Sequence, residues 1–480
     1  MLLNFESIQN FYYKNLLKVL QLEQRMDKHQ FYKFVNKLIL PLFTGSYLDG
    51  EEESSVRDSE VAYGKKNSLL LKPSKVDEYR LILKRGQPFQ VFEVNLLKSI
   101  INEINKIAVI PLEDESYLTV LQENAIEKSI CQSLCEQETA NCMFAIINEI
   151  EKWAARTYEG RKIAIGIIIN LGQDISAQED ALSYSEIMNN DFFALLTDGI
   201  NSYVEFDKKG SLIGYVQMEK LKKQPTICPF EYDNVARYCN ERRVGIVLTK
   251  NGEILIFKNR NLLFANRLGR WNIYSHEEVI QLLSYRGNYS IKDIRRSIYY
   301  TALDSSYSYN GGCIVYLNKD EAEYALTHIN AHDIIDEKYF ELKKAQMLEM
   351  AGRLYNFQNL YSTEATYNVP YLTFLQEQHC VKAQCLRKII NGRPFHELSR
   401  KLRLELVSMD GAVVIDSEGT IIAVGAILKI EAGSEGGGRL AAATTLSKYG
   451  TAIKISQDGI IKAFYPDRKT NKVRALFTVG

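Results

Sequence analysis

The chain has 480 residues, of which 46% are hydrophobic and 25% are charged, and its acidic and basic side chains cancel to a formal net charge of zero. This composition excludes an intrinsically disordered chain. The neutral balance provides no general attraction to nucleic acid or to an anionic membrane. A chain of this length exceeds one ordinary hydrophobic core, so we predict about two to four domains.

Neither a membrane span nor a secretion signal is predicted. The longest apolar runs, 38–43 and 163–169, are too short to cross a bilayer, and the N-terminus lacks a basic stretch followed by an apolar one. The eight cysteines form no Cys-x-x-Cys pair, so we expect reduced thiols and neither a zinc ribbon nor a redox motif. We therefore expect a cytoplasmic protein that binds neither membrane nor nucleic acid.

Residues 1–150 are predicted to form a mostly helical N-terminal region. Apolar residues recur at helical spacing near the start, a short strand is predicted over 79–83, and further helices are predicted over about 94–107 and 117–156. Residues 49–67 are polar and charged, which is typical of an exposed loop. No motif in this region identifies a chemistry.

Residues 151–285 are predicted to form a second, α/β domain. The β-branched run at 163–169 is typical of a buried strand. Two strands follow around a turn at 208–210, and a helix is predicted over 232–243. The Asn251-Gly252 dipeptide then predicts a hairpin, because it is the commonest two-residue hairpin turn.

The remainder of the chain is predicted to repeat this unit. Asp198-Gly199 precedes the turn glycine Gly252 much as Asp410-Gly411 precedes Gly459, and each copy has an upstream glycine followed by a strand. Such self-similarity favours duplication of one α/β unit. The alternative is two unrelated small sheets with similar turns.

The predicted fold class is therefore mixed α/β with three domains. These are a helical N-terminal region (1–150), a degenerate α/β copy (151–285) and a C-terminal α/β domain (286–480) with a helical insertion at about 318–400.

A Gly-rich loop that leads into an Ala-rich helix marks the candidate site. It consists of Glu435, Gly436, Gly437, Gly438 and Arg439. Backbone N–H groups at the start of a helix bind anions, and glycine lets the backbone approach phosphate oxygens closely. The arginine adds a forked donor that matches phosphate geometry.

The Asp410-Gly411 turn supplies a carboxylate beside a strand. Asp410 could hold Mg²⁺ or Mn²⁺ and position a ribose 3′-hydroxyl. Asp458 is a second candidate metal ligand, although its Asp-Gly turn accounts for it equally well without a metal. An Asp-Gly turn or a Gly-rich loop alone is common; the two together favour a nucleotide site.

The order of these motifs resembles the diadenylate cyclase domain, over roughly residues 290–480 and best over 405–465. That family is marked by an Asp-Gly-Ala turn, a Glu-Thr-Gly-Thr-Arg-His-Arg loop that opens a helix, and a Ser-Glu segment in the next strand. The residues that match are Asp410, Gly411, Ala412, Glu435, Gly437, Arg439 and Ser456. The residues that depart from the pattern are Gly436 and Gly438 in place of threonines, Leu440 and Ala441 in place of the last His and Arg, and Gln457 in place of Glu.

The resemblance implies a cyclic dinucleotide synthase, a diadenylate cyclase that condenses two ATP molecules to cyclic di-AMP with release of pyrophosphate. It implies catalytic roles for Asp410 and Arg439, with Mg²⁺ or Mn²⁺ held by Asp410 and Asp458. It implies nucleotide contacts from Gly411, Ala412, Glu435, Gly436, Gly437, Gly438 and Ser456.

Because one such site binds one ATP, two sites must face each other, and we expect a homodimer or higher homo-oligomer through the C-terminal domain. The alternative is a catalytically inactive nucleotide-binding sensor on the same fold, since Leu440 and Ala441 replace two family residues. A third interpretation is a purely structural interaction protein.

The first copy is expected to serve packing or sensing without catalysis. Aligning Gly252 with Gly459 places Tyr232 opposite Arg439. The segment before that tyrosine contains two prolines and no glycine, so the phosphate-binding loop is missing from this copy.

Overall fold

A computed structural model describes residues 27–43, 45–55, 58–74, 77–107, 115–178, 180–218, 224–283, 292–358, 380–427, 437–467 and 472–480. The chain divides into two compact units. We call Met1–Ile227 with Glu231–Ser275 the N-terminal unit, and Cys228–Phe230 with His276–Gly480 the C-terminal unit. Both are mixed α/β structures, and the first two predicted domains fall within the one N-terminal unit.

The N-terminal unit begins with helix α1 (Lys28–Phe34), which continues through a π-helical turn (Val35–Ile39) into a last turn (Leu40–Leu42). An antiparallel sheet of order β1-β4-β3-β2 follows. Its strands are β1 (Tyr47–Glu53), β2 (Val61–Tyr63), β3 (Ser68–Leu71) and β4 (Tyr79–Lys84). The mostly helical region predicted for 1–150 therefore contains a complete small sheet.

The segment predicted as an exposed loop over 49–67 is exposed along β1, but the prediction of a loop is wrong where β1 and β2 occupy it. β1 is an edge strand with water on both faces, so it lacks the alternation of apolar and polar residues that identifies a half-buried strand. Its charges instead face cations on β4: Glu52 lies opposite Arg80 in the ladder and forms a 2.7 Å ion pair with it.

Three helices cover the next segment: α2 (Val91–Ile107), α3 (Glu115–Leu134) and α4 (Gln137–Ala154). In α4 the buried side chains recur every three or four residues, as a helix that covers a core requires. They include Met143, Ile146, Ile147, Ile150 and Trp153. Burial of each such side chain contributes roughly 1.5–3 kcal/mol to folding, so this face holds the helix in place.

The main sheet of the N-terminal unit has seven strands in the order β13-β12-β11-β10-β7-β8-β9, and a two-stranded β5-β6 ribbon precedes it. Its elements are β5 (Thr157–Tyr158), β6 (Arg161–Lys162), β7 (Ile165–Asn170), α5 (Tyr184–Met188), α6 (Phe193–Leu196), β8 (Ser202–Asp207), β9 (Leu212–Gln217), α7 (Asp233–Tyr238), β10 (Arg243–Leu248), β11 (Ile254–Lys258), β12 (Asn261–Arg267) and β13 (Arg270–Ile273). The central strand β7 is buried at every position, which explains its nearly continuous isoleucine sequence.

The C-terminal unit contains a six-stranded sheet of order β16-β15-β14-β17-β18-β19. Its elements are α8 (His276–Leu282), α9 (Lys292–Tyr307), β14 (Gly312–Leu317), α10 (Ala322–Leu326), α11 (Glu337–Gln358), α12 (Val381–Ile390), α13 (Arg400–Ser408), β15 (Ala412–Ile415), β16 (Ile421–Ala426), α14 (Gly437–Leu446), β17 (Gly450–Ile455), β18 (Ile461–Asp467) and β19 (Lys472–Val479). β14 is buried throughout, as β7 is in the other unit. Helices α10 to α13 lie in the sequence between β14 and β15, whereas the described residues between β7 and β8 of the other unit contain two short helices.

The two larger sheets share strand order, strand direction and register. In the N-terminal unit β7 pairs in parallel with β8 and in antiparallel with β10. In the C-terminal unit β14 pairs in parallel with β15 and in antiparallel with β17. The antiparallel pair runs for six residues without a shift in both units, from Ile165 opposite Leu248 in one and from Gly312 opposite Ile455 in the other. The repeated order of elements predicted from the sequence is therefore present in the structure.

Candidate functional site

The Asp410-Gly411 turn lies between the end of α13 and the start of β15. Gly411 has φ +104°, a backbone conformation that few residues other than glycine adopt. A Cβ atom placed on Gly411 would lie 2.5 Å from the carbonyl carbon of Gly425, at the end of the paired strand β16. The close approach of these two strands therefore requires glycine at 411, independently of any ligand.

The Asp410 carboxylate points into solvent, since 95% of its side chain is exposed, and it makes one ion pair among the described residues. Nη2 of Arg439 lies 3.3 Å from Oδ1 of Asp410. An exposed ion pair of this kind contributes only about 0–1 kcal/mol to stability. The pair is therefore free to exchange partners when an anion or a cation arrives.

Arg439 is the third residue of α14, and its guanidinium lies against the start of β14. A Cβ atom on Gly311 would lie 2.2 Å from Nη1 of Arg439 and 3.4 Å from Cγ of Gln457. A side chain at position 311 would thus displace the guanidinium. Three segments distant in sequence, at 311, 439 and 457, meet beside Asp410.

The Gly-rich loop is described only in part. Glu435 and Gly436 lie outside the described residues, whereas Gly437 and Gly438 form the first turn of α14. Because the first N–H groups of a helix have no intrahelical acceptor, this turn offers donors beside Arg439. A cation and unpaired backbone donors at one helix end are suited to a phosphate group.

Leu440 and Ala441, which follow Arg439, do not direct their side chains into the site. Ala441 is 3% exposed, and Leu440 is half-buried. Ala442, Ala443 and Leu446 continue this buried face of α14 into the core of the C-terminal unit. Neither position 440 nor position 441 supplies a hydrogen-bond donor to the site.

Ser456 and Asp458 lie in the turn between β17 and β18. The Ser456 N–H donates to the Ile460 carbonyl, and the Gly459 N–H donates to the Ser456 carbonyl. Oδ1 of Asp458 accepts from the Ile460 N–H at 3.2 Å, so its carboxylate already stabilises its own turn. Among the described residues, no group of three or more His, Cys, Asp or Glu side chains could hold a metal ion.

A cation that sequence analysis did not identify lies next to the Asp410 turn. Nζ of Lys382, at the start of α12, lies 2.7 Å from Oδ1 of Asp333 and 3.2 Å from the Gly425 carbonyl. A Cβ atom on Gly425 would lie 2.9 Å from both the Asp410 carbonyl oxygen and Nζ of Lys382. The helical insertion therefore adds a basic group to this edge, and no spacing in the sequence links residues so far apart.

The corresponding edge of the N-terminal unit differs. Ile167, the third residue of β7, pairs with Val204, and Ile314, the third residue of β14, pairs with Val413. Asn201 and Asp410 each lie three residues before the paired valine, so Asn201 is the counterpart of Asp410. The sequence-based pairing of Asp198 with Asp410 is therefore wrong by three residues. Counting back from the paired hairpins places Tyr232 opposite Arg439, and Tyr232 is buried just before α7.

Asp198 has a local structural task instead. Its Oδ1 accepts hydrogen bonds from the N–H groups of Ile200, Asn201 and Ser202 at 2.7–2.9 Å. Partial burial alone would raise the pKa of Asp198, but these hydrogen bonds outweigh it and lower the pKa to about 2. Because Asp-Gly turns often use the carboxylate in this way, the dipeptide alone did not distinguish the two sites.

Comparisons of the chain with protein-family models, with curated proteins and with solved structures give no match. In the described part of the chain, no helix combines the length and apolarity needed to cross a membrane. A functional assignment therefore depends on the geometry described above and on the motif resemblance.

Proposed function

We propose that the C-terminal unit is a diadenylate cyclase that binds ATP and condenses two ATP molecules to cyclic di-AMP. The observation that carries the proposal is the meeting of Asp410 and Arg439, 3.3 Å apart, at the Gly-rich start of α14. The N-terminal unit has the same sheet but Asn201 and Tyr232 at the corresponding places. Chemistry is therefore assigned to one unit alone.

In this proposal Arg439 and the N–H groups of Gly437 and Gly438 hold phosphate oxygens. Gly411 keeps this edge free of a side chain, whereas Ala412 is fully buried in β15 and makes no nucleotide contact. Ser456 provides a secondary polar contact. Lys382 adds positive charge beside the Asp410 turn. These groups orient one ATP with its ribose toward Asp410.

A divalent cation fits this edge only if the bound nucleotide supplies some of its ligands. Asp410 is exposed, and Asp458 is engaged in its own turn, so the protein offers few ligands and the phosphate oxygens of ATP would complete the coordination. Mg²⁺ or Mn²⁺ would there neutralise charge on the phosphates.

The reaction balances as two phosphoryl transfers. The 3′-oxygen of each ATP forms a bond to the α-phosphorus of the other, the bond from that phosphorus to the bridging oxygen breaks, and two pyrophosphates leave. In this proposal the Asp410 carboxylate orients the 3′-hydroxyl, whose proton passes to solvent as the new bond to phosphorus forms. Two ATP molecules must face each other, which requires two C-terminal units across a symmetric interface.

A second candidate function is nucleotide binding without transfer. The burial of Ala441 and the apolar side chain of Leu440 favour it, because neither provides the donors that stabilise a leaving pyrophosphate. In this case the nucleotide would act as a signal bound by the C-terminal unit.

The test incubates the full-length protein with ATP and MnCl₂, measures products by mass spectrometry, and measures ATP binding by equilibrium dialysis. We expect cyclic di-AMP from the natural protein and at least 100-fold less from Asp410→Asn, which folds normally because the side chain is exposed. Glu418→Gln, an exposed change beyond the other end of β15, is the matched control and retains full activity.

The outcomes separate the two functions. ATP binding without any cyclic product would exclude the synthase and leave the second candidate. Absence of both product and binding would overturn both functions. Unchanged turnover in Asp410→Asn would remove Asp410 from its proposed role.

A further inference from the structure

A cavity of about 300 Å³ opens at one end of the seven-stranded sheet of the N-terminal unit. Two turns of the chain line it. Asn240, Glu241 and Arg242 lie between α7 and β10, and Asn259 and Arg260 join β11 to β12. Cavities that bind small molecules begin at about this volume, so the space suits a compact ligand.

Two arginines give the cavity its charge. The exposed side chain of Arg242 makes no hydrogen bond or ion pair within the described part of the chain. Nη1 of Arg260 donates to Oε1 of Gln224 at 2.7 Å, which is an uncharged acceptor. Glu241 also lines the cavity, but its charge already acts on the ammonium group of Lys258. The two guanidinium charges are therefore available to an anion.

Arg260 occupies an unfavourable backbone conformation. Asn259 and Arg260 are the two loop residues of the β11–β12 hairpin, and their φ angles are +51° and +66°. Hairpins of this kind favour Asn-Gly, because glycine adopts positive φ at little cost. The sequence keeps the asparagine and has arginine in place of the glycine. A side chain retained at a local cost in stability indicates a role beyond the turn itself.

The C-terminal unit pairs the same strands without these arginines. The shared register of the two sheets places Tyr449 opposite Arg242 and Asp467 opposite Arg260. The strand ladder is the same in both units, so it does not require an arginine at either place. The arginine pair is therefore explained by neither the sheet nor the turn.

The lining indicates which kind of anion fits. Guanidinium groups match phosphate oxygens in geometry and charge, and two of them suit a phosphate dianion better than a single carboxylate. The side-chain amides of Asn240 and Asn259 offer donors and acceptors for hydroxyl groups. Among the described residues, the lining includes no aromatic or aliphatic side chain, so a nucleobase or an acyl chain would meet no apolar surface.

We propose that this cavity binds a small phosphorylated sugar or polyol. Arg242 and Arg260 hold the phosphate group, and the amides of Asn240 and Asn259 bind the hydroxyl groups. The cavity is a binding site, and no bond of the ligand is made or broken there. The proposal does not depend on the nucleotide site of the C-terminal unit.

The test uses the full-length protein and isothermal titration calorimetry at low ionic strength, because salt screens exposed charges. Ribose 5-phosphate and glycerol 3-phosphate are the probes, and we expect at least one of them to bind with one site per chain. Ribose and glycerol lack the phosphate, and inorganic phosphate lacks the hydroxyl-bearing chain. Each of these three is expected to bind at least about ten-fold more weakly than the phosphorylated probe.

Two substitutions locate the site. Arg242→Gln removes one guanidinium group and is expected to weaken binding of the phosphorylated probe at least about ten-fold. Arg260→Gly removes the other and relieves the turn, so binding should weaken as much while the unfolding temperature stays the same or rises. Arg161→Gln, an exposed change in β6 outside the cavity lining, is the matched control and leaves binding unchanged.

Four results would overturn the proposal. These are no heat from either phosphorylated probe, equal binding of ribose and ribose 5-phosphate, binding of inorganic phosphate as tight as that of both probes, and unchanged binding in Arg242→Gln or Arg260→Gly. Thermal unfolding of each variant without ligand distinguishes lost binding from lost folding. A lower unfolding temperature for Arg260→Gly would contradict the argument that arginine is retained there at a cost.

Discussion

At the scale of single residues, three carboxylates illustrate how surroundings decide what a side chain can do. Asp198 accepts three backbone hydrogen bonds and is used by its own turn. Asp410 is exposed and faces one arginine, so it can receive a ligand. Glu127 is buried, and burial together with the nearby charge of Glu151 raises its pKa. The residue type is similar in all three cases, and only the neighbours distinguish structure from function.

Glu127 should make stability depend on pH. Because its pKa is raised by burial, the folded protein retains a proton that the unfolded chain loses above the ordinary value of 4.5. The contribution of Glu127 to stability is thus greatest at acid pH and falls as pH rises from that value to the raised pKa. We expect Glu127→Gln to flatten this slope and to gain about 1–3 kcal/mol relative to the natural protein between pH 5 and pH 9.

Thermal unfolding across this pH range provides the measurement. The titratable and charged groups near Glu127 must be considered in its interpretation, namely Glu123, Glu151, Cys131, Lys37 and Arg270. Glu149→Gln should follow the natural protein at every pH. Parallel curves for the natural protein and Glu127→Gln would contradict the prediction.

At the scale of elements, the close contact of β15 with β16 fixes the site. Gly411 and Gly425 both have positive φ; a Cβ atom on Gly411 would meet the backbone of Gly425, and one on Gly425 would meet the Asp410 carbonyl oxygen. This contact sets where the Asp410 carboxylate emerges from the sheet. Nζ of Lys382 lies on the other side of Gly425, whose carbonyl it contacts.

Gly411→Ala should therefore destabilise the C-terminal unit by about 3 kcal/mol or more, since the added methyl group combines an unfavourable φ with a backbone clash. Gly392→Ala is the matched control, because Gly392 also has positive φ (+65°) but has nothing within 4 Å of a Cβ atom. We expect the control to cost only about 1 kcal/mol. Urea unfolding compares the two, and equal midpoints would disprove the steric argument.

At the scale of the whole molecule, the proposed function depends on the assembly of two chains. A synthase that needs two facing sites should lose specific activity when its dimer dissociates. We expect sedimentation velocity to show a dimer at micromolar concentration and product formed per protein to decline on dilution. A constant specific activity over the same range in which the dimer dissociates would contradict the two-site arrangement.

Mixing the natural protein with the Asp410→Asn variant provides a control for the same prediction. If each product needs two intact sites, exchange with Asp410→Asn should reduce activity roughly with the square of the fraction of natural protein, so an equal mixture retains about one quarter. A linear decline would indicate independent sites.

Sequence patterns predicted the sheets better than they predicted the contacts. The buried strands at 165–170 and 312–317 and the hairpins around Gly252 and Gly459 follow from local preferences, which is why they were predictable. The edge strand β1 was missed because strands exposed on both faces carry no apolar alternation. Asp198 was misaligned because pairing register is set by distant strands.

The contact between Asp410 and Arg439 was predictable from the sequence, whereas the side chains that surround it were not. Asp410 and Arg439 were identified from motif order, and the structure brings them together. Lys382 was not identified, because an unremarkable lysine on an inserted helix becomes relevant only once the fold places it beside Gly425. The raised pKa of Glu127 was not predicted either, since the burial of one helical carboxylate leaves no trace in local sequence.

The shared register of the two large sheets also has a consequence for how this chain can change. The hairpins Arg243–Lys258 and Gly450–Tyr465 have the same length and the same ladder, although their sequences differ along both strands as well as at the tip, where Thr249 corresponds to Ser456. The backbone conformation of the hairpin is therefore the same with different side chains at its tip. The side chains at such a tip can therefore change without a change in strand pairing. A few substitutions could create or remove a binding edge in either copy while the sheet keeps its structure.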